Sequence, residues 1–73
     1  MSDRTEDVMY RQRIKQIAPA YDPRHIEAFM RSAHGTLDHM PAWLFKQEVR
    51  MAMECIDQGG KDMAERLAKS YGM

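Results

Sequence analysis

The sequence predicts an all-α protein, a small compact array of four helices, on three observations. Apolar residues recur at helical spacing in four successive stretches. No stretch alternates with the period of two that a strand requires. Proline or glycine stands at the junctions. A chain of 73 residues allows one domain, and chains this short bury only about 60% of the surface that their unfolded form exposes. That domain divides into a peripheral helix at 1–20 and a core at 21–73.

The first stretch, Asp3 to Ala18, starts acidic with Asp3, Glu6 and Asp7 and turns basic with Arg11, Arg13 and Lys15, the polarity that suits a helix macrodipole. Asp7 and Arg11 are spaced for an ion pair. The apolar side is thin, limited mainly to Tyr10, Ile14, Ile17 and Ala18, so this first helix is expected to be loosely attached and to fray first. Pro19 stops it.

The second stretch, Tyr21 to Gly35, has the most complete set of local signals. Asp22 can cap the free backbone donors, Pro23 suits the first helical position, and Tyr21 can staple onto Ile26. Ile26, Phe29, Met30 and Ala33 follow at i, i+3, i+4 and i+7, one core-facing stripe that Gly35 terminates. Thr36 to Met40 is a short connection in which Leu37 plugs the core.

The third stretch, Met40 to Asp57, carries apolar side chains around more than half of its circumference. Phe45, Val49, Ala52 and Ile56 form one stripe, with Leu44, Met51 and Cys55 in a second beside it. That breadth predicts a central third helix, buried on two sides, with Pro41 pre-organised for its first turn and Gly59 placed to end it. The last helix, about Lys61 to Tyr71, presents Met63, Ala64, Leu67, Ala68 and Tyr71 to the core. Asp62/Arg66 and Glu65/Lys69 form outward pairs, and Gly72 closes it.

Eleven Lys and Arg balance eleven Asp and Glu, so long-range attraction to nucleic acid or an acidic membrane has no support in the overall charge. A single cysteine, Cys55, rules out an internal disulfide, and its apolar neighbours predict a buried thiol in a reducing compartment. The charged first 20 residues contain no signal-peptide core, and no window reaches the roughly 18 apolar residues of a membrane span, which together predict a cytoplasmic location.

No catalytic, metal or cofactor-binding motif stands out. His25 and His34 fall on opposite faces of one helix and His39 lies in a loop, so zinc spacing is lacking and structural or solvent-facing roles are favoured. Glu48 interrupts the apolar arc of the third helix. The simplest expectation is an internal ion pair with an arginine or histidine of the preceding helix, and the alternative is an element of a contact site. Trp43 falls on the polar face of that helix with Lys46, Gln47, Arg50 and Glu54. There it either folds back over the preceding loop or, flanked by Arg50, stands out as an aromatic anchor for a partner. Methionine counts 8: Met30, Met51 and Met63 read as gap-fillers of the core, while Met9, Met40 and Met53 lie at adaptable margins. Arg4, Arg11, Arg13 and Lys15 give the first helix a basic side, read as a solvated face or, alternatively, as a nucleic-acid contact diluted by nearby carboxylates.

The run Asp22-Pro23-Arg24-His25-Ile26-Glu27-Ala28-Phe29-Met30-Arg31, then Gly35-Thr36-Leu37-Asp38, Phe45, Glu48-Val49 and the closing Leu67-Ala68-Lys69-Ser70-Tyr71-Gly72, resembles a group of short uncharacterised bacterial and phage or mobile-element proteins. The resemblance covers about residues 21–73 and implies no activity. Pro41 departs from the small polar residue that starts the third helix in that group, which changes the cap and leaves the helix in place.

Taken together, the residues point to a non-enzymatic helical interaction module, an adaptor or a self-associating protein, that meets another protein or itself through Trp43, Arg50, Glu48 and Met53. The alternative is a nucleic-acid-binding accessory protein that uses Arg11, Arg13 and Lys15.

Overall fold

Asp22 begins the second helix as its chemistry requires. Its backbone is extended and its carboxylate accepts from the Arg24 amide at 2.9 Å, while Pro23 takes the first turn and Gly35, at φ 78°, ends the helix. In the computed structural model, which describes residues 2–72 and the side chains of residues 8–72, the elements are α1 (Ser2–Ile17), α2 (Pro23–His34), α3 (Ala42–Cys55), a π-helical turn (Ile56–Gly60) and α4 (Lys61–Ser70). The protein is all-α, and no strand occurs among the described residues.

The helix count differs from the expected four. The stretch from Ala42 to Ser70 is one kinked run, so the chain forms three helical runs, and the third is split into two arms where Gly59 takes φ 103°. Gly60 is the closest approach in this elbow: a Cβ there would lie 2.6 Å from the Cys55 carbonyl oxygen and 3.3 Å from the Phe29 ring. Pro41 precedes the third run as its cap and does not occupy the first turn.

The central helix is α2, not the third. It packs against α1, α3 and α4, with its broadest contact on α4. Ile26 and Met30 are buried on one side and Ala28 on nearly the opposite one, about 200° around the axis. Ile26 and Met30 join Phe45, Val49, Ala52, Leu37, Ile14 and Ala18 in the main core. Ala28, with Ala64 and Ala68 of α4 also buried, marks a close helix–helix seam in which small side chains bring the backbones together.

The third run misled because its apolar arc is broader than its burial. Phe45, Val49 and Ala52 are enclosed, but Met51 is 51% exposed and Cys55 is on the surface. Of the second stripe, Leu44 is half-buried while Met51 and Cys55 are left open. Ala33 is likewise exposed, as are Met63 and Tyr71 of the last helix, since a two-sided α2 leaves α4 only its alanine face to bury.

The first helix is not loosely attached along its second half. Ile14 and Ala18 are fully buried, Tyr10 and Ile17 pack against the core, and the Tyr10 ring stacks on Phe45 at 6.2 Å between centroids. Arg4, Asp3, Glu6 and Asp7 lie outside the residues whose side chains are described, so the Asp7–Arg11 pair does too. No helix of the described residues is long and apolar enough to cross a membrane.

Candidate functional site

Trp43 and Arg50, seven residues apart and thus nearly in line along α3, occupy the side of the helix away from Phe45, Val49 and Ala52. Both are exposed, Trp43 to 68%. The tryptophan does not fold back over the preceding connection. That connection fills its own inner space with Leu37, 2% exposed, and turns tightly at His39, φ 63°, which leaves the indole in water.

The other two expected contact residues do not share this face. Glu48 lies about 140° around the helix from Trp43, where its side chain, 12% exposed, pairs with Nε2 of His34 at the end of α2. The partner is a histidine of the preceding helix, as the sequence suggested, but the contact lies at the surface and is not internal. Met53 lies about 80° the other way and is half-buried against the core. The contact surface therefore narrows to the Trp43–Arg50 line.

Two of the three cations on the basic side of α1 are engaged within the chain. Arg11 donates from Nε to Glu27 Oε1 at 2.7 Å, and the Arg13 guanidinium lies 3.9 Å above the centre of the Phe45 ring. Of the three cations proposed for phosphate contact, Lys15 alone projects as an exposed residue.

Glu27 is the charge that sequence reasoning missed. It is fully buried, and each carboxylate oxygen is taken by an arginine: Arg11 of α1 on Oε1 and Arg31 of α2 on Oε2, both at 2.7 Å. Two charge-assisted bonds satisfy a group that would be costly to enclose alone. A signal was available: Glu27 and Arg31 stand four apart on a helix whose buried positions wrap both sides.

Two tyrosine hydroxyls add cross-links at the rim. Tyr10 donates to Asp38 at 2.5 Å and Tyr21 to Asp57 at 2.6 Å. The Tyr10 hydroxyl holds the Asp38 carboxyl below its usual value, and the bonded Asp57 carboxylate raises the Tyr21 phenol above its own. Asp22 is lowered chiefly by the Arg24 guanidinium, whose Nη2 lies 2.9 Å away.

Two concavities lined by described residues do not combine enclosure with convergent reactive groups. A cleft of about 630 Å³ between the start of α2 and α4 is lined by Arg24, His25, Lys61, Glu65 and Lys69, and Asp22 already engages Arg24 and lies 3.8 Å from His25. A groove of about 220 Å³ between α2 and α3 exposes Phe29, Ala33, Met51 and Cys55, below the roughly 300–1,000 Å³ of typical small-molecule sites. No group of three His, Cys, Asp or Glu suited to a metal ion occurs among the described residues. The Asp62/Arg66 and Glu65/Lys69 pairs are not among the ion pairs formed by described residues. Compared with known protein families, curated proteins and solved structures, the chain matches none.

Proposed function

We propose that this chain is a small non-enzymatic interaction module that meets another protein, or a second copy of itself, through the outer face of α3. The supporting observation is Trp43, 68% exposed and in line with Arg50. Tryptophan and arginine are the side chains most enriched among residues that dominate binding energy. Covering such a tryptophan removes on the order of 150 Å² from water, about 4 kcal/mol at about 25 cal/mol per Å². Association itself costs about 4–15 kcal/mol, so one indole does not suffice and the partner must extend along α3 to Arg50. The source is read, from the resemblance over residues 21–73, as a bacterial or mobile-element protein of the cell interior.

The test is capture from cells with the wild-type chain and with Trp43→Ala and Arg50→Ala, alongside the solution mass of each. The expected result is a partner or a dimer lost in both variants while the circular dichroism is unchanged. A partner set and mass identical in all three chains removes this face from the reading.

A further inference from the structure

The cleft between the start of α2 and α4 has a volume of about 630 Å³, within the roughly 300–1,000 Å³ of small-molecule sites, and its charges do not cancel. On the α2 side Asp22 and Arg24 neutralise each other at 2.9 Å. On the α4 side Lys61, Glu65 and Lys69 follow at intervals of four along one flank of the helix, so two ammonium groups share the wall with one carboxylate. Neither lysine enters an ion pair among the described residues.

His25 adds an unused polar group to the same cleft. Its side chain is only 15% exposed, and its Nε2 stays 3.8 Å from Asp22 Oδ2, beyond the reach of a hydrogen bond. Neither ring nitrogen has a hydrogen-bond partner among the described residues. No enclosed side-chain nitrogen or oxygen of those residues lacks one either, so the imidazole nitrogens open to the solvent of the cleft that His25 lines. A sheltered ring with both nitrogens unused is a binding group without a partner inside the fold. Beside it, the half-buried Tyr21 and Ile56 supply an apolar wall, and the Tyr21 hydroxyl is anchored to Asp57 at 2.6 Å.

We propose that this cleft binds a small organic phosphate, with the phosphoryl group taken by His25, Lys61 and Lys69 and the organic part laid on Tyr21 and Ile56. A phosphoryl group brings a charge near two and three strong acceptor oxygens, which matches several donors at once, and flexible lysine stems let the ammonium groups converge on it. The end of α2 is not the acceptor, because Asp22 already takes the Arg24 amide. Glu65 opposes the ligand and sets an upper limit on its affinity. The site lies apart from the Trp43 line and does not rest on it.

The experiment titrates the full chain with phenyl phosphate, inorganic phosphate, benzoate and phenol, followed by the chemical shifts of His25, Lys61 and Lys69. The expected result is saturable binding of phenyl phosphate in the millimolar range or tighter, weaker binding of inorganic phosphate and benzoate, and none of phenol. Lys61→Ala and Lys69→Ala, both at exposed helical positions that accept alanine, should each weaken phenyl phosphate roughly tenfold. Glu65→Gln should tighten it. Lys46→Ala, which removes the same charge from α3 at an exposed position outside the cleft, should leave it unchanged. Shifts that never saturate, or a loss as large in Lys46→Ala as in Lys61→Ala, overturn the proposal by reducing it to diffuse charge screening. Equal affinity for benzoate and phenyl phosphate overturns the assignment to a phosphoryl group.

Discussion

Helix α2 is held on two sides by opposite means. On the side away from the main core it buries Ala28, and α4, its broadest neighbour, buries Ala64 and Ala68. Toward α1 it presents a carboxylate gripped by two arginines. Small side chains gain from dispersion and area at close backbone approach and tolerate no added volume. Long charged ones span a wider gap, depend on every partner being present, and leave a severe penalty when one is removed. One helix thus carries a rigid seam and a conditional one.

The largest effect should come from the conditional side. Glu27→Ala leaves Arg11 and Arg31 facing each other, both only partly exposed, and should cost about 3 kcal/mol in urea unfolding. For a chain this short that is a large share of a total on the order of 5 kcal/mol. Ala64→Leu tests the other side and should cost about 1–3 kcal/mol through overpacking. Raising the salt concentration should shift the Glu27 result and leave the Ala64 result unchanged. A salt-sensitive alanine seam would break the distinction. Gly60→Ala, whose new methyl group would press on the Cys55 carbonyl, should lose about 1–2 kcal/mol by thermal melting. His34→Ala should be smaller, about 0.5 kcal/mol, because the imidazole side chain is 36% exposed and solvent screens the pair.

The pH response sharpens the same contrast at the rim. Asp22 and Asp38 both titrate below the ordinary 3.8 in the folded chain, Asp22 chiefly through Arg24 and Asp38 chiefly through Tyr10. A lowered folded value means that their contribution is complete above about pH 4 and is lost as the pH falls through the folded values. Asp22→Asn keeps an oxygen that can cap α2 but removes one titration. It should flatten the acid limb of stability measured by denaturation at a series of pH values, by lowering the neutral value toward the acid one as the charge-assisted bonds to Arg24 are lost.

Much of the fold was legible because it is written locally. The Asp22 cap, Pro23 and the Gly35 terminator, the inward Leu37 and the Tyr10, Ile14, Ala18 side of the first helix all follow from short-range chemistry. What misled was the step from apolarity to burial. Met51, Cys55 and Met63 lie on arcs that helical spacing marks as core, but whether a second stripe is covered depends on how many neighbours a helix has. That is decided by α2, whose Ala28 looks unremarkable in a propensity reading and is fully buried on the side away from the main core. The placement of the proposed contact residues was partly legible. Periodicity put Trp43 and Arg50 on one line, and Glu48 was set apart by its pairing with His34. Glu27 was overlooked because a glutamate four before an arginine reads as an ordinary surface pair until both flanks of the helix are known to be closed.

The exposed indole also governs how this protein can be watched. The chain has one tryptophan, and in the native state it already faces solvent, so its emission should sit at long wavelength before any denaturant is added. Fluorescence will therefore be a poor gauge of unfolding. For the same reason, a blue shift on mixing with another molecule would be a clean optical sign that something has settled over the first turn of α3.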